Sequence, residues 1–577
     1  MSEKNTKKLN RRAFLKNTAL LSGSVALLPT VLTSCDDDGD LPGLPGSFGF
    51  LEGVASFDPS QSSVILWSRY TPLLTEAGDA AIRWEVAENR AFSPVLKSGS
   101  LSASAANDYT LSVDVTGLTP NKKYFYRFQN ELSQVKSVVG ETLTLPAAGQ
   151  VSSVKLAVVS CANYQTGLFN VYGAVAESEA DVVVHLGDYI YEYGRGEYGA
   201  NPATAALNRG HLPTVEVISL QDYRIRYKQY RSDKQLQKAH QLKPFICVWD
   251  DHELANNAYI DGAENHQPNE GSFSQRKQNA QQAWHEYLPA RVASKDKIFR
   301  RFDLGGLANL LMLDTRLLGR DKQLDYADYY GSGNVFNAAA FAAAWLNPNR
   351  SMLGTEQRAW LASALASSSA KWQVLGSQVL MGKMYLPAEL LALVAQLASG
   401  GATPALLAQY TALATALIAI KIRLQQGDPT VTPAERARVE TVLPYNLDAW
   451  DGYPAEREKL YAAATGKKLI SIAGDTHNAW YNDLTDASGR KVGAEFACSS
   501  VTSPGFEALF GGNTAAAQSF AQSNQLLIND LNYLDASQRG YVLAEFTATT
   551  ATSQWRYVAS ITAESTTTTT GKVVSEA

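Results

Sequence analysis

Five short apolar runs, each ending on a polar group able to bind a metal, constrain this chain more than any other feature. Residues 155–160 run into Cys161, 181–186 into Gly187-Asp188, 244–249 into Asp250-Asp251-His252, 372–376 into Gln378, and 468–473 into Gly474-Asp475-Thr476-His477. Apolar runs of this length, separated by long crossovers, predict the buried strands of an α/β sheet. In such sheets ligands collect beyond the carboxyl ends of the strands. The sequence therefore predicts one assembled site. Its donors are a thiol, carboxylates, an imidazole and, at Tyr191, a phenol, a mixture that suits two or more metal ions of different hardness.

The ends of the chain call for separate treatment. Residues 1–35 read as an export signal: Asn10-Arg11-Arg12-Ala13-Phe14-Leu15-Lys16 is a twin-arginine pattern, followed by an apolar stretch too short for a comfortable bilayer span. The stretch ends in Leu32-Thr33-Ser34-Cys35, which resembles a lipobox, so Cys35 is expected to be acylated and to tether an exported lipoprotein to a membrane of the cell envelope, on its periplasmic side or at the surface. The expected partners are thus the twin-arginine export machinery and a membrane. The segment before Cys35 holds six Lys/Arg and one acid, so the remainder carries a net charge of about −10, against −5 for the whole chain. That balance argues against a nucleic-acid-binding surface. It does not exclude an anionic substrate, because bound metal ions invert the local field. Cys247 and Cys498 read as small core residues and not as a disulfide framework. No obligate protein partner is evident.

Residues 36–46, acidic and rich in Gly and Pro, read as a tether. From 47 to 147 the segments 63–70, 81–88, 109–116 and 123–129 have strand composition at regular spacing with turn signals between them, which predicts a small β-domain. The stretch from Thr116-Gly117 through Pro120 to Tyr124 and Tyr126 resembles a fibronectin type III sandwich. The α/β domain is expected over 151–558, with an Ala/Leu-rich inserted helical hairpin at 386–440, divided by Gly400-Gly401 and with a helix start at Pro433. That insertion either lids the site or pads the surface. The Thr-rich tail, 559–577, is expected to be disordered.

The polar strand ends carry the chemistry. A small Gly187 lets the chain turn while Asp188 projects from the strand end, where a carboxylate can bridge two metals. Tyr191 at this offset suits only a metal acidic enough to deprotonate a phenol near neutral pH, with Fe³⁺ the obvious candidate. Asp250, Asp251 and His252, with Asn256 and Asn257 about a helical turn on, form a cluster rich in hard oxygen donors that suits Ca²⁺ or Mg²⁺. Asp475 and His477 alternate on an extended segment and can serve neighbouring metals. An acidic helix cap would account for Asp250 or Asp251 but not for the imidazole beside them. His185, His211, His240, His266 and His285 read as core or surface groups.

Taken in order, Ser160-Cys161, Gly187-Asp188-Tyr189-Ile190-Tyr191-Glu192, Trp249-Asp250-Asp251-His252-Glu253, Leu375-Gly376-Ser377-Gln378 and Gly474-Asp475-Thr476-His477 resemble the PhoD-type alkaline phosphatases of the calcineurin-like metallophosphoesterase superfamily, distant relatives of the purple acid phosphatases. The resemblance spans nearly all of 47–550 outside the insertion. It implies an α/β fold in which a metallophosphoesterase β-sandwich is flanked by helices, and a hydrolase that cleaves phosphate esters with metal-activated water. By matching motifs, Fe³⁺ would take Cys161, Asp188, Tyr191 and His477, and Ca²⁺ would take the bridging Asp188 with Asp251, Asp475 and Gln378, while Asp250 and Asn257 could serve a further Ca²⁺. His252 would be catalytic and touch the phosphate, and Arg316 could contact it as well or, equally, be a salt-bridged structural arginine. Two rival readings stay open: a phosphodiesterase acting on phospholipid or nucleic-acid-derived diesters, and a non-catalytic surface-binding lipoprotein.

Overall fold

The computed structural model describes residues 48–73, 78–333 and 335–577. The twin-arginine pattern, Cys35 and the tether lie outside the described residues.

All five expected strands form, at Ser153–Val159, Val182–His185, Pro244–Cys247, Trp372–Gly376 and Lys468–Ala473. They divide between two sheets. The first three pair in parallel within a nine-stranded sheet, and the last two pair in parallel within a seven-stranded sheet, flanked by Ala308–Met312 and Lys491–Ala497. Period-two alternation sorts the second sheet's side chains. Leu310, Met312, Val374, Ile470 and Ile472 enter the core shared with the first sheet, while Leu311, Leu313, Leu375 and Leu469 enter a second core on the opposite side. Helices cover the outer faces, giving the expected sandwich.

The N-terminal strands lie at Ser63–Arg69, Ala80–Ala87, Thr110–Thr116 and Lys123–Asn130, close to the expected spans. Their sheet membership is less independent than a separate sandwich domain would have it. Val54–Phe57, outside the four expected strand segments, pairs in parallel with Pro244–Cys247 and antiparallel with Ser63–Arg69, so three N-terminal strands extend the nine-stranded sheet. The second layer is a four-stranded sheet that packs over this extension through Ile82, Val86, Tyr126 and Phe128 against Val54, Val64, Leu66 and Val115. An edge strand beside Pro244–Cys247 would expose unpaired backbone groups, and the extension covers it.

The insertion is three helices rather than a hairpin: Ala388–Gly400, Pro404–Gln425 and Pro433–Glu440, closed off by the strand pair Tyr385–Pro387 and Val442–Pro444. Pro404–Gln425 has the length and hydropathy of a membrane span, yet Tyr410, Ala414, Leu417 and Ile420, at helical spacing, pack into the second core. Pro433 starts the last helix as expected, behind a capping box made by Thr432 and Glu435. The tail departs from the expectation of disorder. Thr568–Glu576 is a strand on Ala551–Val558, and Glu576 accepts hydrogen bonds from Tyr481 and Lys491. A run of Thr is low in complexity but β-branched, and beside an open sheet edge β-propensity wins.

Candidate metal centre

The carboxyl ends of both sheets converge on one place. Two glycines make the approach possible. A side chain on Gly187, whose φ is 101°, would put its Cβ 2.3 Å from the Asp250 backbone nitrogen, and one on Gly474 would put it 2.5 Å from Ser160 Oγ. Backbone hydrogen bonds from Val501 to Ser160 (2.9 Å) and from Gly474 to Gln378 (3.0 Å) tie the strand ends together. Three ligand groups result, Cys161 with Asp188 and His477, Asp188 with Asp251 and His252, and Asp250 with Asp251 and Asp475, and within each the donor atoms lie within 4.8 Å of one another. Asp188 belongs to two of them, the position of a bridging carboxylate.

Around the first group Tyr191 is held in place from two sides. Its hydroxyl donates to Asp188 Oδ2 (3.0 Å), receives a hydrogen bond from Ser503 Oγ (2.7 Å), and lies 3.2 Å from His477 Nε2. His477 Nδ1 sits 2.7 Å from the Pro504 carbonyl. That carbonyl can only accept, so the proton is on Nδ1 and the Nε2 lone pair faces the cluster, the tautomer that a metal ligand needs. Burial pushes both the Cys161 thiol and the Tyr191 phenol up, with Asp188 adding to each. Neither ionises near neutral pH unless a strongly polarising cation sits among them, which fits a hard trivalent ion on mixed S, N and O donors.

The second region is different in kind. Arg316, with no solvent exposure, bonds to Asp250, to Asp448 at 2.8 Å and to Asp475 at 2.9 Å, and stands 3.6 Å from Asp251. It is a buried internal cation, the salt-bridged structural role of the two left open for it and a correction to the phosphate contact: its donors are spent on carboxylates. Arg316, then His252, holds the Asp251 carboxyl below its ordinary range against the cost of burial, whereas burial and the other aspartates push Asp250 and Asp188 up. Gln378 is the second correction. Its side-chain oxygen accepts from Thr315 N (3.2 Å) and Thr315 Oγ1 (2.8 Å), and its amide donates to the carbonyls of Trp249 (3.0 Å) and Leu313 (2.6 Å). Both lone pairs and both protons are used, so none is left for a metal. Asn257 meets the cluster through its backbone N–H, which donates to Asp251 Oδ2 at 2.5 Å.

The residues nevertheless fit a metal in this region. Asp250 Oδ2 and Asp251 Oδ1 are buried without a hydrogen-bond partner among the described residues, and orphaned carboxylate oxygens are costly unless a cation takes them. Backbone strain is concentrated here too. Of the twelve described non-glycine residues with positive φ, five are candidate ligands: Cys161, Asp188, Asn257, Asp475 and His477 at 62°, 55°, 54°, 63° and 64°. Such conformations cost of order 1 kcal/mol or more each and persist where surroundings impose them.

Two glutamates organise the centre from behind, and sequence reasoning gave them no role although they close its own motifs. Glu253 accepts backbone hydrogen bonds from Asp188 (2.9 Å), Tyr189 (2.7 Å) and Asp250 (2.8 Å), clamping two ligand loops to each other. Glu192 takes His252 Nδ1 at 2.7 Å and also accepts from Asn256 N and Asn265, both at 2.8 Å. Burial lowers the His252 pKa, but the charges of Glu192, Asp251 and Asp188 outweigh it and raise the value well above the ordinary one. The signal was adjacency: Glu192 follows Tyr191 and Glu253 follows His252 in the sequence. Tyr198, stacked near His252 and His477, carried no signal.

The chain is similar to known proteins over most of its length. The sequence profile of the PhoD-like phosphatases matches residues 156–555, and that of the PhoD-like phosphatase N-terminal domain matches 44–146. Alkaline phosphatase D of Bacillus subtilis (strain 168) is 33% identical over 520 residues, covering 86% of this chain and 76% of the relative. A solved structure described as that of PhoD superposes with a TM-score of 0.70 at 30% identity, covering 92% of this chain and 90% of that one. The purple acid phosphatase PPD1 of yellow lupin (Lupinus luteus) seeds is a looser neighbour, with a TM-score of 0.48 at 11% identity over 89% of this chain and 72% of that one. With matching profiles over residues 44–146 and 156–555 and these relatives, the chain belongs to the PhoD-like phosphatase family and is a hydrolase.

Proposed function

We propose that this protein is an exported, metal-dependent phosphatase that hydrolyses phosphate esters at the convergence of the two sheets. The observation that carries the reading is Asp188, one carboxylate shared by a group containing Cys161 and His477 and a group containing Asp251. Cys161, Asp188, Tyr191 and His477 would hold Fe³⁺, and Asp188, Asp251 and Asp475, with Asp250 beside them, would hold Ca²⁺. When bound, such ions polarise the phosphoryl oxygens and lower the pKa of the attacking water. The chain's own contribution is His252. With Nδ1 anchored on Glu192, its Nε2 serves the cavity, where it binds a phosphoryl oxygen and protonates the leaving alcohol oxygen as the bond from phosphorus breaks. General-acid work of this kind is worth about 10²–10⁴ in rate. The same groups serve monoesters and diesters.

The test is metal analysis of the purified protein beside turnover of p-nitrophenyl phosphate and its bis ester. Iron and calcium should copurify with activity, and a calcium chelator should abolish turnover reversibly. A fully active protein containing zinc alone would overturn the ion assignment. For location, Arg11-Arg12 and Cys35 support twin-arginine export and a lipid anchor. Cys35→Ser should release the protein from membranes, and unchanged membrane retention would retire the anchor.

A further inference from the structure

The ligand loops close only one end of the space they face. Beyond them opens a cavity of about 1790 Å³, against roughly 300–1,000 Å³ for ordinary small-molecule sites. A phosphoryl group with a small alcohol would leave most of it empty. The wall that continues from the ligands is aromatic. Trp480 donates its indole N–H to Thr476 Oγ1 at 2.7 Å, between Asp475 and His477. Its ring meets Phe506 at 5.8 Å, and Phe506 meets Tyr445 at 5.7 Å. A further wall comes from the insertion. Helix Ala388–Gly400 turns Leu390, Val394 and Leu397 into the second core and presents Ala392, Ala395 and Ala398, with Gln396 and Ser399 among them, to the cavity.

Charge narrows the occupant. Among the described lining residues Arg539 is the one Lys or Arg, and it is held by Glu507 and by the carbonyls of Thr502 (3.2 Å) and Ser537 (2.9 Å). Glu197, Asp325 and Asp451 also line the space. An alcohol bearing further phosphates would meet these carboxylates, with Arg539 already paired to Glu507.

We propose that this cavity is a leaving-group subsite, that the preferred substrates are phosphate esters of large, uncharged, apolar alcohols, and that helix Ala388–Gly400 is the specificity-determining wall. The proposal rests on the phosphatase reading above. Apolar burial raises affinity by up to about fourfold per methylene, and binding energy realised away from phosphorus raises kcat/KM when it is kept in the transition state. Small alanines on the wall leave the width that a bulky alcohol needs.

The experiment has two arms on the full-length holoenzyme. In the first, kcat/KM is compared for ethyl, octyl and naphthyl phosphate and for adenosine monophosphate. Octyl and naphthyl esters should exceed ethyl by about tenfold or more, and the better of the two identifies an alkyl or an aryl alcohol. Ala395→Trp should cut that advantage about tenfold through KM, while Ala412→Trp, exposed on helix Pro404–Gln425 away from the cavity, should preserve it. A flat series, a preference for the nucleotide, or an unaltered advantage in Ala395→Trp would overturn the proposal. In the second arm, calorimetry measures binding of ethyl- and octylphosphonate, which are not hydrolysed. If no ester turns over but octylphosphonate binds more tightly and Ala395→Trp weakens it, the subsite stands and the hydrolytic reading falls. Turnover of small esters, with phosphonate binding independent of chain length, would instead overturn the subsite and leave the hydrolytic reading standing.

Discussion

The two donor regions that share Asp188 solve the problem of buried charge in opposite ways. Around Cys161, Tyr191 and His477 the donors are neutral as long as no cation is present: thiol and phenol are pushed up by burial, and His477 keeps its proton on the Pro504 side. Around Asp250, Asp251 and Asp475 the protein supplies its own cation, Arg316, and still leaves two carboxylate oxygens unsatisfied. The first region can fold as an uncharged pocket and acquire charge together with its ion. The second must be neutralised during folding. Stability and metal binding should therefore separate between the two regions, and single substitutions in each can test that separation.

The largest effect is expected where the regions meet. Asp188→Asn removes a ligand from both, so kcat/KM should fall by at least about 10³-fold and both metals should be lost, read by elemental analysis of the purified variant. Loss of only one metal would mean that Asp188 does not bridge, and the regions would be independent sites.

Next is the internal cation. Arg316→Met leaves buried carboxylates without their partner, a change that costs about 3–5 kcal/mol. Cys161→Ser removes no charge and should cost about 1 kcal/mol. Urea unfolding of the metal-free proteins compares the two. Equal costs would show that the asymmetry between the regions is absent from the folding energetics. A smaller effect on turnover is expected behind the regions: His252→Ala should lose about 10²-fold in kcat with both metals retained, and Glu192→Gln about tenfold by misorienting the same ring. A lowered unfolding midpoint with normal turnover per folded molecule would make the pair structural.

How much of this was legible in the sequence follows from where the information lay. The five strands were readable because each is a short uninterrupted apolar run, and Cys161, Asp188, Tyr191, Asp251, Asp475 and His477 were readable because each sits at a strand end. Gln378 occupies the same kind of position and matched the same pattern, but its role was settled by the Trp249 and Leu313 carbonyls, which only tertiary structure brings to it. Arg316 had no local signal to decide its role either, since four aspartates from three separate segments define it. The parallel pairing of Val54–Phe57 with Pro244–Cys247 joins the N-terminal layer to the catalytic sheet, and a pattern confined to each segment could not reveal it. The tail shows the same limit: Thr568–Glu576 is a strand because an open edge was waiting for it.

The smallest expected effect is spectroscopic and bears on the first region alone. If Tyr191 and Cys161 both ligate Fe³⁺, the purified protein is coloured, because phenolate and thiolate each give charge transfer to iron in the visible. Ser503 Oγ donates to the Tyr191 oxygen at 2.7 Å and would stabilise it as a phenolate. Tyr191→Phe removes one of the two chromophoric ligands while leaving Cys161, Asp188 and His477, so the band should shift and weaken without vanishing, and turnover should fall by less than in Glu192→Gln. Calcium content should be unchanged, since the Tyr191 hydroxyl contacts Asp188, His477 and Ser503 on the side of the first region. A variant with an unaltered spectrum would remove Tyr191 from the iron site. Calcium lost along with the colour would instead mean that the two regions are coupled through more than Asp188.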